Sequence, residues 1–126
     1  MSTVLIVDDM EQNRKLFRII LEGEFPGCTV LEAENGAIGV EQARLNKPDL
    51  VLMDVRMPEM DGLTATRRLK ADPDTAAIPV VIVTSSMDSR AGNKIVDSGC
   101  DDQIGKPFQF ADFVSRVRRF LGDQDE

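Results

Sequence analysis

The sequence has no tryptophan, no tyrosine and no histidine, only two cysteines, and fewer basic residues than acidic ones. Each shortage removes a class of function. Without histidine, and with Cys28 and Cys100 matching no metal-binding spacing, any metal cluster in the chain must be built from oxygen ligands. The two cysteines read instead as small buried hydrophobes. Fifteen basic against 22 acidic residues give a net charge of −7, a field that repels nucleic acid and anionic lipid. The basic cluster Arg116, Arg118 and Arg119 reads as a solvated helix face near a helix C-terminus. No apolar run approaches the roughly 20 residues needed to span a bilayer. The first apolar stretch, Val4 to Val7, is cut short by aspartates and is no secretory signal, so a cytoplasmic location without membrane attachment is expected. The length of 126 residues fits one domain.

What is present is a regular alternation of two hydrophobic periods. Thr3 to Val7 is a short β-branched run, as expected for a strand buried on both faces. Around Leu16, Phe17, Ile20 and Leu21 the spacing becomes helical. Cys28 to Ala33 predicts a second strand, and Ala37 to Leu45 a second helix with Ile38, Val40 and Ala43 inward. Leu50 to Met53 is a third strand ended by Asp54; after a turn over Pro58 to Gly62, a third helix carries Leu63 and Leu69. Val80 to Val83 is a fourth strand, Asp88 to Ser98 a helix with Ile95 and Val96 inside, and Asp102 to Gly105 a short fifth strand. Phe110, Phe113, Val114, Val117 and Leu121 repeat at three and four, marking a final amphipathic helix.

Strand alternating with helix implies right-handed crossovers and a parallel sheet covered on both faces. Five such units predict an α/β, doubly wound (βα)5 flavodoxin-like domain with strand order 2-1-3-4-5. Residues 1–122 form that domain, and 123–126 an acidic tail. In this order Cys28 and Cys100 lie before opposite edge strands, roughly 19 Å apart, too far for a disulfide, which needs Cα atoms within about 7 Å.

Open parallel sheets place their sites beyond the carboxyl ends of the strands, where strand order reverses. Four strand ends here carry polar residues: Asp8 and Asp9, Asp54, Thr84 and Lys106. Singly, each has an ordinary reading as a cap, a turn residue or a solvated lysine. Together they converge on one rim. The three aspartates repel one another and call for a cation, and oxygen-only ligands suit Mg²⁺, which also grips phosphate. A carboxylate nucleophile, a metal, an ammonium and a hydroxyl supply the parts for phosphoryl transfer to an aspartate.

The segments VLIVDD (Val4 to Asp9), DLVLMDVRMPEMDG (Asp49 to Gly62), PVVIVTS (Pro79 to Ser85) and KPF (Lys106 to Phe108) resemble the receiver domains of two-component response regulators, from about Thr3 to Leu121. The strand order given above rests in part on this resemblance. It implies that Asp54 is the phosphoacceptor, taking its phosphoryl group from a sensor histidine kinase or a histidine phosphotransfer protein. It implies Mg²⁺ held by Asp9, Asp54 and the backbone carbonyl of Arg56, with Asp8 acting mainly through water. Thr84 and Lys106 would contact the phosphoryl group, and Lys106–Pro107 would be a cis peptide. The output would be an unidentified protein target, with the chain a monomer or a phosphorylation-dependent dimer through helix 4, strand 5 and helix 5. One position departs from the family: Gln103 stands three residues before Lys106, where an aromatic is usual, so an aromatic switch at that position is excluded.

Three other functions compete with this reading. A phosphatase of the haloacid dehalogenase type places a second aspartate two residues after its nucleophile, whereas this chain has Arg56. A flavodoxin-like electron carrier needs a Ser/Thr/Gly-rich phosphate loop after strand 1 and large aromatics; Asp8 and Asp9 oppose the first, and Trp and Tyr are absent. A docking-only receiver has no need to retain every acidic, hydroxyl and lysine position.

Overall fold

The three central strands form where β-branched and leucine side chains run with little interruption, and they are buried on both faces, while the two edge strands, TVLEA and DQIG, are partly open to solvent. The computed structural model describes residues 2–57, 60–85 and 94–122. β1 (Thr3–Val7), β2 (Thr29–Ala33), β3 (Leu50–Asp54), β4 (Val80–Thr84) and β5 (Asp102–Gly105) make one parallel sheet in the order β2-β1-β3-β4-β5. Helices α1 (Glu11–Glu24), α2 (Gly36–Asn46) and α3 (Gly62–Ala71) follow the first three strands. Residues 94–97 are helical (α4), and α5 (Phe110–Leu121) closes the order. The expected fold class and strand order are those observed. The first part of the helix predicted from Asp88, the turn residues Pro58 and Glu59, and the tail 123–126 lie outside the described residues. Among the described residues, no helix is long and apolar enough to cross a membrane.

Strand period two divides the core into two layers. Val4 and Ile6, Leu50 and Leu52, and Val81 and Val83 point to the face covered by Phe17, Ile20 and Leu21 of α1 and by Phe113, Val114, Val117 and Leu121 of α5. Leu5 and Val7, Val51 and Met53, and Val80 and Ile82 point the other way, against Ala43 of α2, Ala65 and Leu69 of α3, and Ile95 of α4. Each large aliphatic side chain so buried contributes roughly 1.5–3 kcal/mol.

The predicted helix faces need correction at several positions. On α2 the inward residues are Gly36, Gly39 and Ala43, while Ile38 is exposed. The reason is steric: a Cβ on Gly39 would stand 2.8 Å from Val7 Cγ2, so the helix sits close on β1 through residues that carry almost no apolar weight. Val96 is 63% exposed, whereas Ile95 points inward as expected, joined by Ser98 just past the end of α4. Leu16 and Phe110 also face out, leaving α1 and α5 held by the residues around them. Cys28 precedes β2 and is half-buried, as is Cys100; both are free thiols, packed in different layers.

The close approach that matters most for the site is at Gly62. A Cβ there would lie 1.8 Å from the backbone oxygen of Asp54, and the Gly62 N–H donates to the Val55 carbonyl at 2.8 Å. Asp61 caps α3, accepting from the Thr64 N–H at 2.8 Å. Thus the helix start is wedged under the end of β3. Gly62→Ala is expected to cost about 1–3 kcal/mol or more, whereas Gly23→Ala, with nothing within 4 Å of the added carbon, should gain about 0.5–1 kcal/mol. Urea midpoints of the two variants against the parent check the contrast.

Candidate functional site

Parallel pairing of β1 with β3 (Val7 opposite Met53) puts the two acidic strand ends side by side. One carboxylate oxygen from each of Asp8, Asp9 and Asp54 lies within 4.8 Å of the others. Asp8 is buried and Asp9 exposed, so the cluster runs from the sheet end toward solvent. On the far side, β3 pairs with β4 and β4 with β5, bringing Thr84 opposite Gly105 and one residue beyond the partner of Asp54. Thr84 is buried, and its carbonyl accepts the Lys106 N–H at 2.7 Å. The Lys106–Pro107 peptide is cis.

Lys106 reaches back across the sheet end. Its Nζ stands 3.7 Å from Asp54 Oδ1 and 3.8 Å from Asp8 Oδ2, close enough to pair in charge without a hydrogen bond. Asp8, Asp9, Asp54 and Lys106 are therefore brought together, with Thr84 at the adjoining strand end. Arg56 is exposed and lines an open cleft of about 480 Å³ beside the cluster, together with Asp9, Val55, Met57 and Asp61.

The carboxylates are held by few donors. Asp54 Oδ1 accepts the Val55 N–H at 2.9 Å. Asp8 Oδ1 accepts the Met10 N–H at 2.9 Å and Asn13 Nδ2 at 3.5 Å. Asp8 Oδ2 is buried and has no hydrogen-bond partner. A buried carboxylate oxygen in this condition costs free energy unless something outside the chain completes it. All the ligand atoms offered are carboxylate oxygens, so the donor chemistry fits a hard divalent cation.

Around Asp8 lie contacts that the polar strand ends alone do not reveal. Asn13 and Arg14 of α1 both turn onto Asp8, Arg14 Nη1 donating to its backbone oxygen at 2.7 Å. Glu32 was not singled out, yet it takes hydrogen bonds from Arg14 Nε at 2.9 Å and Arg18 Nε at 2.8 Å. Burial alone would raise its pKa, but the two guanidinium groups override that and hold the carboxyl below its ordinary range. The available signal was a single charge inside the otherwise apolar run TVLEA, opposite arginines spaced four apart.

Asp54 shows the strain of the cluster in its proton affinity. Burial first, then the charge of Asp8, push its pKa from the usual 3.8 up to about 6, against the pull of Lys106 and the Val55 N–H, with Asp9 adding to the rise. Between those two values the folded state binds the proton more tightly than the unfolded chain does. Stability is thereby lost as pH rises from about 4 to 6, and the penalty is complete above that. In metal-free buffer, Asp54→Asn is expected to exceed the parent in stability at pH 7.5 by an amount on the order of 1–3 kcal/mol, and to match it near pH 4. Urea unfolding across that range checks the sign, and a gap that does not depend on pH would contradict it.

Comparison with known proteins points the same way. The family model for the response regulator receiver domain matches residues 4–118. The polar-differentiation response regulator DivK of Brucella anthropi is 37% identical over 122 residues, which cover 97% of this chain and 98% of the relative. The receiver domain of a signal transduction histidine kinase from Syntrophus aciditrophicus superposes with a TM-score of 0.88 at 36% identity, over 96% of this chain and 90% of that one. The receiver domain of a sensor histidine kinase from Pseudomonas aeruginosa, solved with a magnesium ion coordinated in its active-site cleft, gives a TM-score of 0.87 at 26% identity, over 96% and 98% of the two chains. Sheet order, acidic strand ends and matches that run nearly end to end all agree, and the chain belongs to the response regulator receiver domains of two-component signalling.

Proposed function

We propose that this receiver accepts a phosphoryl group on Asp54 from a phosphohistidine of a sensor kinase or phosphotransfer protein in the cytoplasm. One observation carries the reading: three carboxylates crowd within 4.8 Å, and the buried Asp8 Oδ2 has no hydrogen-bond partner. Asp9, Asp54 and the Arg56 carbonyl are assigned as the groups that would hold Mg²⁺, with Asp8 acting through water. When bound, the ion supplies charge neutralisation for the carboxylates and for the phosphoryl oxygens. The P–N bond of the donor breaks, an Asp54 oxygen forms the new P–O bond, and the imidazole nitrogen departs with the electron pair. Asp54 must be ionised to attack, so its raised pKa opposes the reaction until the cluster is neutralised. Lys106, already paired in charge with Asp54, is placed to follow its oxygen once it carries phosphorus. Thr84, at the neighbouring strand end, is assigned a hydrogen bond to the phosphoryl group.

The output face is placed on α4, β5 and α5, where a second copy or a separate target would bind. Gln103 stands on that route in place of an aromatic, with its Oε1 buried and without a hydrogen-bond partner. In this reading no aromatic ring at that position carries the signal.

Incubation with a small acyl phosphate and Mg²⁺, followed by intact mass measurement, tests the reading. A phosphate-sized gain is expected in the parent and none in Asp54→Asn or in the presence of a chelator. Lys106→Ala should slow the gain by roughly 10²-fold or more, as loss of a positioned electrostatic donor does. A parent that stays unmodified would make the chain a docking-only receiver.

A further inference from the structure

The start of α1 lacks the usual side-chain cap: Met10 is its N-cap residue and provides none. The loop joining β1 to α1, which carries Asp8 and Asp9, must be fixed by other means. The Asp8 N–H continues the sheet ladder to the Ala33 carbonyl at 3.1 Å, and the Met10 N–H turns back to Asp8 Oδ1. Among the described residues, the side chain that holds the peptide between Asp8 and Asp9 is Arg14, whose Nη1 donates to the Asp8 oxygen at 2.7 Å. The Arg14 side chain is only 15% exposed, and its Nε is anchored at 2.9 Å on Glu32 of β2. Its planar fork thus spans from the neighbouring strand to the one peptide group shared by two of the three clustered aspartates.

We infer that Arg14 is a positioning residue for the acidic cluster: it orients the Asp8–Asp9 peptide, and with it the Asp9 carboxylate, toward a divalent cation, using Glu32 as its fixed support. The inference rests on the proposed Mg²⁺ site and goes beyond it by assigning a role outside the ligand set. The bond is charge-assisted and short, the strong class of hydrogen bond. Arg18 supplies an internal control. It shares Glu32 with Arg14, but its other bonds go to Glu22 and the Val30 carbonyl, away from the rim. Both arginines tie α1 to β2, and only Arg14 also touches the acidic loop.

The full chain is compared with Arg14→Ala, Arg14→Lys and Arg18→Ala by Met10 amide exchange in metal-free protein and by calorimetric titration with Mg²⁺. Urea unfolding first establishes that each variant is folded. Lysine keeps the charge but cannot offer two donors in a fixed fork, so it covers the case in which the alanine variant does not fold. Folded Arg14 variants should exchange the Met10 amide at least ~5-fold faster and bind Mg²⁺ about 10-fold more weakly, while Arg18→Ala stays within about two-fold of the parent on both. The assignment is overturned if a folded Arg14 variant matches the parent in either measurement, or if Arg18→Ala loses as much as the Arg14 variants. A parent that binds no Mg²⁺ refutes the cation site itself, and amide exchange then decides the positioning role alone.

Discussion

Mutual repulsion among carboxylates at the end of a parallel sheet is the constraint on which the rest of this structure turns. Two charges 4.8 Å apart, the outer limit for the Asp8 and Asp54 oxygens, repel by about 3 kcal/mol at an effective dielectric constant near 20. Burial adds to the cost, because both side chains are largely removed from water. The fold pays this in advance through its hydrophobic layers. Neither Lys106, too distant for a hydrogen bond, nor the few backbone donors cancel it. A site that stores unfavourable charge in this way responds strongly to whatever neutralises it.

Holding such charges together requires stiff surroundings. Gly62 abuts the Asp54 carbonyl so closely that the start of α3 and the end of β3 behave as one body. The Lys106 backbone is tied to the Thr84 carbonyl, so the ammonium and hydroxyl positions share a hinge point. Arg14 does the same for the Asp8–Asp9 peptide from the side of β2. Each tether joins a different neighbour to the rim, and together they fix the strand ends in one geometry.

Much of this was legible in the chain. Apolar runs of strand length, alternating with helical spacing, carry the sheet and its coverings, because burial on both faces keeps the central strands apolar up to their polar ends. The polar residues at Asp8, Asp9, Asp54, Thr84 and Lys106 stood out for that reason. What hydrophobic spacing could not reveal was packing through absence: α2 meets β1 at Gly39 and the start of α3 at Gly36, so Ile38 was assigned to the wrong face. A helix end does not declare its inner side either, as exposed Val96 shows beside buried Ile95. Arg14 and Glu32 were hidden for a third reason. Their importance lies in which backbone atom one guanidinium reaches, and composition and period carry no information about that.

Chemistry and signalling meet in the same few atoms. The carboxylate proposed to accept phosphorus is also the one whose proton affinity is raised by burial and its neighbours, and Gln103 lies on β5, in the face proposed for output, without an aromatic ring to move. The central claim is that Asp54 belongs to an under-neutralised cluster awaiting a cation. Carbon-13 NMR titration of its side-chain carboxyl, with and without saturating Mg²⁺, measures this most directly. The account predicts a midpoint of about 6 in the metal-free protein, displaced downward when Mg²⁺ is present. An ordinary carboxylate midpoint that Mg²⁺ leaves unmoved would contradict it.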